Sequence, residues 1–135
     1  DLLNGRASLV ILGSKAESET AAKVAGLSKA KLTDLSGKTD LAPAVAVLAA
    51  CDAMISNDMG LAHVAPAVGT RTFVIFGPTN PVTTRPFSPN AEVISHPVEC
   101  SPCMLRECPI DLRCMTAITP EFIFERVLNY LTLND

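Results

Sequence analysis

Short apolar runs alternate with longer helical patterns along most of this chain, and this alternation limits the fold more than any other feature. Five apolar runs have the length and composition of strands, at residues 8–12, 31–34, 53–56, 72–76 and 92–95. Helical patterns lie between them, at about residues 16–27, 41–50 and 61–68. Such alternation is typical of successive βα units around a parallel sheet. We therefore expect an α/β fold with an open parallel sheet flanked by helices.

The remaining segments are two proline-rich stretches and the two ends of the chain. Residues 81–89 contain three prolines and residues 97–115 are rich in proline and cysteine, so both stretches are predicted to be irregular. Pro120 is expected to open a final amphipathic helix. The first residues resemble the end of a helix closed by Asn4 or Gly5. Since a natural domain seldom begins inside a helix, we expect a single domain, residues 1–135, cut from a longer protein on its amino-terminal side.

The composition favours a domain that binds a small molecule. Hydrophobic residues make up 48% of the chain, yet no apolar run approaches the roughly 20 residues that cross a bilayer. A formal net charge of -3 argues against a nucleic-acid partner, which normally needs a basic face. The absence of Trp argues against an aromatic platform for exposed bases. With no export signal at its amino terminus, the protein is expected to be soluble and cytoplasmic.

Three loops directly follow predicted strands, and ligands bind at these positions in open parallel sheets. The loops are at residues 13–17, 57–63 and 77–79. The second places Asp58, Gly60 and His63 within the first turns of one helix, where unpaired amides attract anions. Gly60 would let a phosphate approach closely, and His63 lies on the same helical face. The spacing indicates an anion site, although an Asp N-cap, a turn glycine and a helical histidine are also common structural choices.

Several ordered motifs run through most of the chain. They are DLSGKT at 34–39, ISNDMGLAHVA at 55–65, GT at 69–70, FGPTNP at 76–81, CM at 114–115 and ITPE at 118–121. Together they resemble the carboxy-terminal domain of glycosyltransferase family nine, and the likeness extends from about residue 9 to residue 131. The resemblance implies a GT-B architecture, in which two Rossmann-like domains face a cleft. This chain would be the carboxy-terminal, Rossmann-like half that binds the donor.

The resemblance also implies an activity, a donor and an acceptor. The family contains heptosyltransferases of lipopolysaccharide inner-core assembly, so ADP-heptose would be the donor and the lipopolysaccharide core the acceptor. The reaction would invert the anomeric carbon and release ADP. No catalytic residue is expected in this chain, because the family places the general base and the acceptor site on the amino-terminal domain. The isolated chain is therefore expected to bind nucleotide without transferring sugar.

The resemblance also bears on where the enzyme works, and it leaves the need for a metal undecided. An enzyme with a lipid-linked acceptor would work at the inner face of the inner membrane, with peripheral contact to that membrane. An Asp-x-Asp metal signature is absent, since Asp52 and Asp58 are separated. Metal dependence therefore stays open.

Four residues around the second loop are assigned to the donor by the resemblance. Asp58, Gly60 and His63 would meet the donor, and the amides after Asp58, including that of Met59, would face its diphosphate. Met59 departs from the family pattern, which usually has Thr or Ser at this position. A hydroxyl contact to phosphate would therefore be lost, while the amide remains.

Two further residues are assigned to the nucleoside by the resemblance. Glu17 would lie near the ribose, and Thr39 would lie against adenine. The residues alone allow a second interpretation of each. Glu17 is also a favourable acid in the first turn of a helix, and Thr39 is also a good N-cap.

Four cysteines lie within fifteen residues in the proline-rich stretch. They are Cys100, Cys103, Cys108 and Cys114. The first pair has the spacing of a zinc thiolate site, while the second pair is spaced more widely than in a usual zinc ribbon. A disulfide, favoured in an oxidising compartment, and reduced thiols packed under a loop are equally open. His96 is either a ligand or a surface histidine, and Cys51 is expected to be a small core residue.

Two other functions remain open at this point. One is a different GT-B enzyme that uses a UDP-sugar, or a sugar-nucleotide epimerase of similar architecture. The other is a non-catalytic metal-binding or interaction module built around the cysteines. Nucleotide titration and metal analysis would distinguish these alternatives.

Overall fold

The computed structural model describes residues 1–133, which divide into two compact units, residues 1–47 and residues 48–133. Each unit contains a parallel sheet with at least one helix packed against it. The predicted α/β class with parallel strands is confirmed. The expectation of a single domain stays a prediction.

The first unit is built on a two-stranded parallel sheet. Strand β1 (Leu9–Ile11) pairs with β2 (Leu32–Asp34). A short 3₁₀ helix (Lys15–Glu17) leads from β1 into helix α1 (Ser18–Leu27), which packs against β2. The opening residues form hydrogen-bonded turns instead of the expected helix end, and Gly5 adopts the left-handed conformation with φ 74°.

Helix α2 (Leu41–Ala49) follows the first sheet and crosses the boundary between the units. The Asp40 carbonyl accepts from the Ala44 amide at 3.0 Å, which places Asp40 at the helix start. Pro43 therefore lies in the first turn, where its missing N–H costs no helical hydrogen bond.

The second unit contains a three-stranded parallel sheet. Its order is β3 (Ala53–Asn57), β4 (Arg71–Phe76) and β5 (Ala91–Ser95). Helix α3 (Gly60–Ala67) packs against β3 and β4. The central strand β4 is the most apolar and is almost completely buried, as expected for a strand with neighbours on both edges. The loops after β3 and β4 therefore emerge at the same edge of one sheet.

Three helices complete the second unit. They are α4 (Pro81–Thr84), α5 (Arg113–Thr116) and α6 (Pro120–Leu133). Helix α6 confirms the amphipathic helix predicted after Pro120. The irregular structure predicted for the two proline-rich stretches is wrong at α4 and α5. In α4 the Asn80 side chain accepts from the Val82 amide at 3.0 Å, and a proline at the first helical position favours the helix.

The amino ends of β4 and β5 are joined by charge and ring contacts. Arg71 forms an ion pair with Glu92, which also accepts from Arg126 at 3.2 Å. The Arg71 guanidinium lies 5.4 Å from the centre of the Phe73 ring and 5.7 Å from that of Tyr130. Such cation–π contacts add to the ion pairs when they are partly desolvated. This end of the sheet is opposite to the loops that follow the strands.

No helix within residues 1–133 is both long enough and apolar enough to cross a membrane.

Candidate functional site

The loop after β3 is anchored by an apolar side chain. Met59 occupies the N-cap position of α3 with extended backbone, φ -150° and ψ 171°. Its side chain packs against a buried cluster formed by Ala62, Val74 and Phe76. Met59 therefore holds the helix start against the core, but it has no oxygen with which to cap the helix.

The Asp58 side chain does not cap the start of α3. Its Oδ2 accepts a hydrogen bond from the Thr84 hydroxyl at 3.0 Å, and its side chain is only 13% exposed. No side-chain hydrogen bond caps α3 within residues 1–133. The alternative interpretation of Asp58 as an N-cap is therefore wrong, and its carboxylate is held instead by helix α4.

The first amides of α3 are left without partners. Within the described chain, no oxygen accepts from the N–H groups of Gly60 or Leu61, whereas the Ala62 amide donates to the Met59 carbonyl at 3.0 Å. A Cβ added at Gly60 would meet nothing within 4 Å. Because a missing N-cap costs a helix about 1 kcal/mol, these open amides are a feature that folding alone does not favour.

His63 lies on the same helix, three residues after Gly60. Its Nε2 is 4.0 Å from Asp58 Oδ1, and its side chain is 48% exposed. The structure thus brings together Asp58, Gly60 and His63, with the imidazole accessible to a ligand. Thr84 joins this group as a fourth residue.

The loop after β1 is closed by Glu17. Glu17 Oε2 accepts from the hydroxyl and the amide of Ser14, both at 2.7 Å. These two bonds, the hydroxyl first, lower the pKa of Glu17, so their stabilising effect is lost as the pH falls through that lowered pKa. Glu17 is thus an acid in the first turn of the 3₁₀ helix, as the second interpretation of this residue predicts. Both bonds use one oxygen, so Oε1 remains for a ligand.

The turn after β2 rests on this loop. Gly37 has φ 65°, and its amide donates to the Gly13 carbonyl at 2.9 Å. A Cβ at Gly37 would lie 2.7 Å from Ser18 Oγ and 3.0 Å from Lys15 Cα. Thr39 follows this turn and is half-buried. The helix start at Asp40 places Thr39 one residue before the N-cap, so the N-cap interpretation of Thr39 is wrong.

The loop after β4 is covered by the cysteine-rich stretch. The Ser101 hydroxyl donates to the Gly77 carbonyl at 3.0 Å, and the Met104 amide donates to the Pro78 carbonyl at 2.8 Å. A Cβ at Gly77 would collide with the Met115 side chain. Gly77 therefore allows close packing of this stretch, and this loop does not expose its backbone as the loop after β3 does.

The four clustered cysteines are free thiols in the structure. Burial, followed by the negative charges of Cys100, Cys103 and Cys108, raises the pKa of Cys114. His96 is exposed and does not line the pocket that these cysteines share. Cys51 is half-buried, and burial raises its pKa.

Thr84 is a site residue that the local sequence pattern does not predict. Its contact with Asp58 joins residues 26 positions apart. Two signals were available: the Asn80-Pro81 pair favours a helical turn, and the loops after adjacent parallel strands meet at one edge of a sheet. Glu17 and Thr39 belong to the first unit, and their assignment to the nucleoside stays a prediction.

Comparison with known proteins gives consistent matches. Residues 2–113 match the model of glycosyltransferase family 9 (heptosyltransferase). The chain is 32% identical over 128 residues to lipooligosaccharide heptosyltransferase 2 of Campylobacter jejuni serotype O:2, covering 91% of this chain and 40% of that protein. It is 37% identical over 97 residues to lipopolysaccharide heptosyltransferase 2 of Salmonella typhimurium, covering 69% and 28%.

Solved structures show the same similarity. Escherichia coli ADP-heptose lps heptosyltransferase II matches with a TM-score of 0.77 and 30% identity, covering 94% of this chain and 37% of that one. A family 9 glycosyl transferase from Veillonella parvula matches with a TM-score of 0.62 and 29% identity, covering 64% and 25%. The chain therefore spans 40% or less of the length of each of these four relatives.

Proposed function

This chain belongs to glycosyltransferase family 9, and we propose that it is the donor-binding part of a heptosyltransferase that uses ADP-heptose. The proposed acceptor is the lipopolysaccharide inner core, bound by a part of the enzyme outside this chain. The proposed place of work is the cytoplasmic face of the inner membrane. The names of the relatives support the transferred sugar and the acceptor class.

The observation that carries this proposal is the open start of α3. Two unpaired amides, a glycine with free space in front of it and an exposed imidazole lie within four residues. A helix amino terminus carries about half a positive charge and stabilises a nearby anion by roughly 0.3–2 kcal/mol. The diphosphate of a nucleotide-sugar provides the anion that this arrangement suits.

Asp58 is proposed to orient this site rather than to touch the phosphates. A carboxylate facing a diphosphate would repel it, and Asp58 is instead held by Thr84 on its Oδ2 side. Its Oδ1 faces His63 Nε2 at 4.0 Å. Asp58 is thereby proposed to fix the position of the His63 ring beside the start of α3.

The proposed reaction breaks the bond between the anomeric carbon of heptose and the diphosphate. An acceptor hydroxyl attacks the opposite face of the sugar, which inverts the anomeric carbon and releases ADP. Negative charge grows on the diphosphate as the bond breaks. The Gly60 and Leu61 amides and His63 would stabilise that charge without reorganising, which is the electrostatic contribution typical of oxyanion sites.

The nucleoside contacts are proposed for the first unit. Glu17 is held by Ser14 through Oε2 and retains Oε1, which can accept a hydrogen bond from a ribose hydroxyl. Thr39 is proposed to lie against adenine.

Calorimetric titration of the chain with ADP-heptose, ADP and UDP tests this function. We expect ADP-heptose and ADP to bind and UDP to bind at least tenfold more weakly. His63→Ala and Asp58→Ala should each raise the Kd for ADP-heptose by about tenfold, or 1.4 kcal/mol. Exposed His96→Ala is the matched control and should leave the Kd unchanged. Tighter binding of UDP, or an unchanged Kd in both site variants, would disprove the proposal.

A further inference from the structure

Four cysteines border one open pocket of the second unit. Cys100, Cys103, Cys108 and Cys114 all line this pocket, which has a volume of about 40 Å³. The fifth cysteine, Cys51, does not line it. Among the described residues, no carboxylate lines the pocket, whereas the guanidinium-bearing residues Arg106 and Arg113 do.

The pocket has one buried thiol and three accessible ones. Cys114 lies in helix α5 and is only 5% exposed. Its sulfur packs at the end of β4, where a Cβ at Gly77 would lie 3.4 Å from it. Cys100 and Cys108 are exposed, and Cys103 is half-buried. These three thiols lie in loop segments rather than in a helix or strand.

One of the accessible sulfurs already accepts a backbone hydrogen bond. The Leu112 amide donates to Cys108 Sγ at 3.2 Å. Amide donors to sulfur are a regular feature of metal-bound thiolates, because they stabilise negative charge on the sulfur. A reduced thiol packed under a loop does not require such a donor.

We propose that Cys100, Cys103, Cys108 and Cys114 bind one Zn²⁺ as a structural site. Zn²⁺ takes four thiolates in a tetrahedral arrangement, and a site filled by four protein ligands leaves no position for a substrate. Four thiolates and Zn²⁺ together carry two negative charges. Arg106 and Arg113 in the pocket wall offset this charge, although Asp111 shares the Arg113 guanidinium.

Zinc binding would rearrange the cysteine-rich stretch, residues 97–115. Residues 1–133 contain no group of three Cys, His, Asp or Glu side chains already positioned to hold a metal ion. The loop thiols must therefore close over Cys114 when zinc binds. Since Ser101 and Met104 in this stretch hydrogen-bond the loop after β4, zinc would also fix that loop. This inference does not rest on the proposed sugar donor.

Metal analysis of the chain tests the inference. After purification under reducing conditions without added metal, mass spectrometry of the elements should find about one zinc per chain. The double variant Cys100→Ser/Cys108→Ser replaces two exposed ligands and should lose the zinc while keeping its circular dichroism spectrum. Cys51→Ser is the control outside the pocket and should keep the zinc.

Cobalt provides a second readout. Co²⁺ added to the metal-free chain should produce a sulfur-to-cobalt charge-transfer band that is absent from the double variant. Four results would overturn the proposal: zinc no higher in the chain than in the double variant, iron with acid-labile sulfide, disulfides among these cysteines in the freshly purified protein, or a cobalt band that persists in the double variant.

Discussion

Gly60 permits a direct test of whether a ligand approaches the start of α3. An alanine methyl group at this position would meet no atom of the protein within 4 Å, so Gly60→Ala should fold normally. The same methyl group would stand where the diphosphate is proposed to lie. We expect the Kd for ADP-heptose, measured by calorimetry, to rise about tenfold. Gly26→Ala, in α1, also meets nothing within 4 Å and should bind normally. Equal affinity in both variants would show that no ligand contacts Gly60.

Thr84 is expected to position Asp58 through its hydroxyl. The single hydroxyl proton of Thr84 is shared between Asp58 Oδ2 at 3.0 Å and the Asn80 carbonyl at 2.9 Å, and Thr84→Val removes both contacts. We expect Kd for ADP-heptose to rise about tenfold, with recovery in Thr84→Ser. Thr83→Val is the matched control, because Thr83 also donates to the Asn80 carbonyl but does not contact Asp58. Failure of Thr84→Ser to recover binding would contradict a positioning role.

At the scale of elements, the turn after β2 is expected to make a large contribution to the free energy of unfolding, although it is short. Gly37→Ala would place a residue with a side chain at φ 65°, with its Cβ only 3.0 Å from the Lys15 backbone. The left-handed conformation costs about 1–2 kcal/mol, and the contact adds to that cost. We expect urea unfolding to show a loss of about 2–3 kcal/mol.

Gly5→Ala is the matched control for this turn. Gly5 has a similar φ of 74°, but a Cβ there meets nothing within 4 Å. It should cost only about 1–2 kcal/mol, the backbone part of the effect. Equal losses in the two variants would show that the contact with Lys15 carries no cost.

The strands and long helices could be predicted from the sequence because their apolar pattern is local. Predicted strand ends differ from observed ones by one residue, as at β3, predicted at 53–56 and observed at Ala53–Asn57. At α4 the structure differs from the loop that the sequence predicts for residues 81–89, because three prolines in this stretch favour a loop by composition. Proline disrupts a helix interior, but after an Asn cap it favours a helix start. The effect of a proline depends on its position within the helix, and composition alone does not give that position.

The site was predictable only where its contacts are local. Asp58, Gly60 and His63 are five positions apart at most, so helical spacing groups them without a structure. The orientation of Asp58 depends on Thr84, and the anchoring of Met59 depends on Val74 and Phe76. Those contacts form only when β4 pairs with β3, so they could not be derived from local spacing.

At the scale of the whole molecule, the chain is expected to bind donor without transferring sugar. It spans 40% of its Campylobacter relative, and the proposed acceptor chemistry belongs to another part of the enzyme. Mass spectrometry of a lipopolysaccharide-core acceptor incubated with the purified chain and ADP-heptose should detect no added heptose. The full-length Campylobacter protein is the positive control. Heptose transfer by the 135-residue chain alone would contradict the proposal that acceptor chemistry belongs to another part of the enzyme.

The ion pairs of Arg71 with Glu92 and of Glu92 with Arg126 lie at the end of the sheet opposite to the open amides of α3. Natural variation can therefore act on the two ends independently. Selection for heat resistance should collect changes around the Arg71 end, and selection for another diphosphate-linked donor should collect them in the loop after β3. A variant that is first stabilised at the Arg71 end can tolerate destabilising changes at the opposite end of the sheet. In this protein, the capacity to acquire a new donor would thus depend on stability supplied at the end of the sheet away from the proposed donor site.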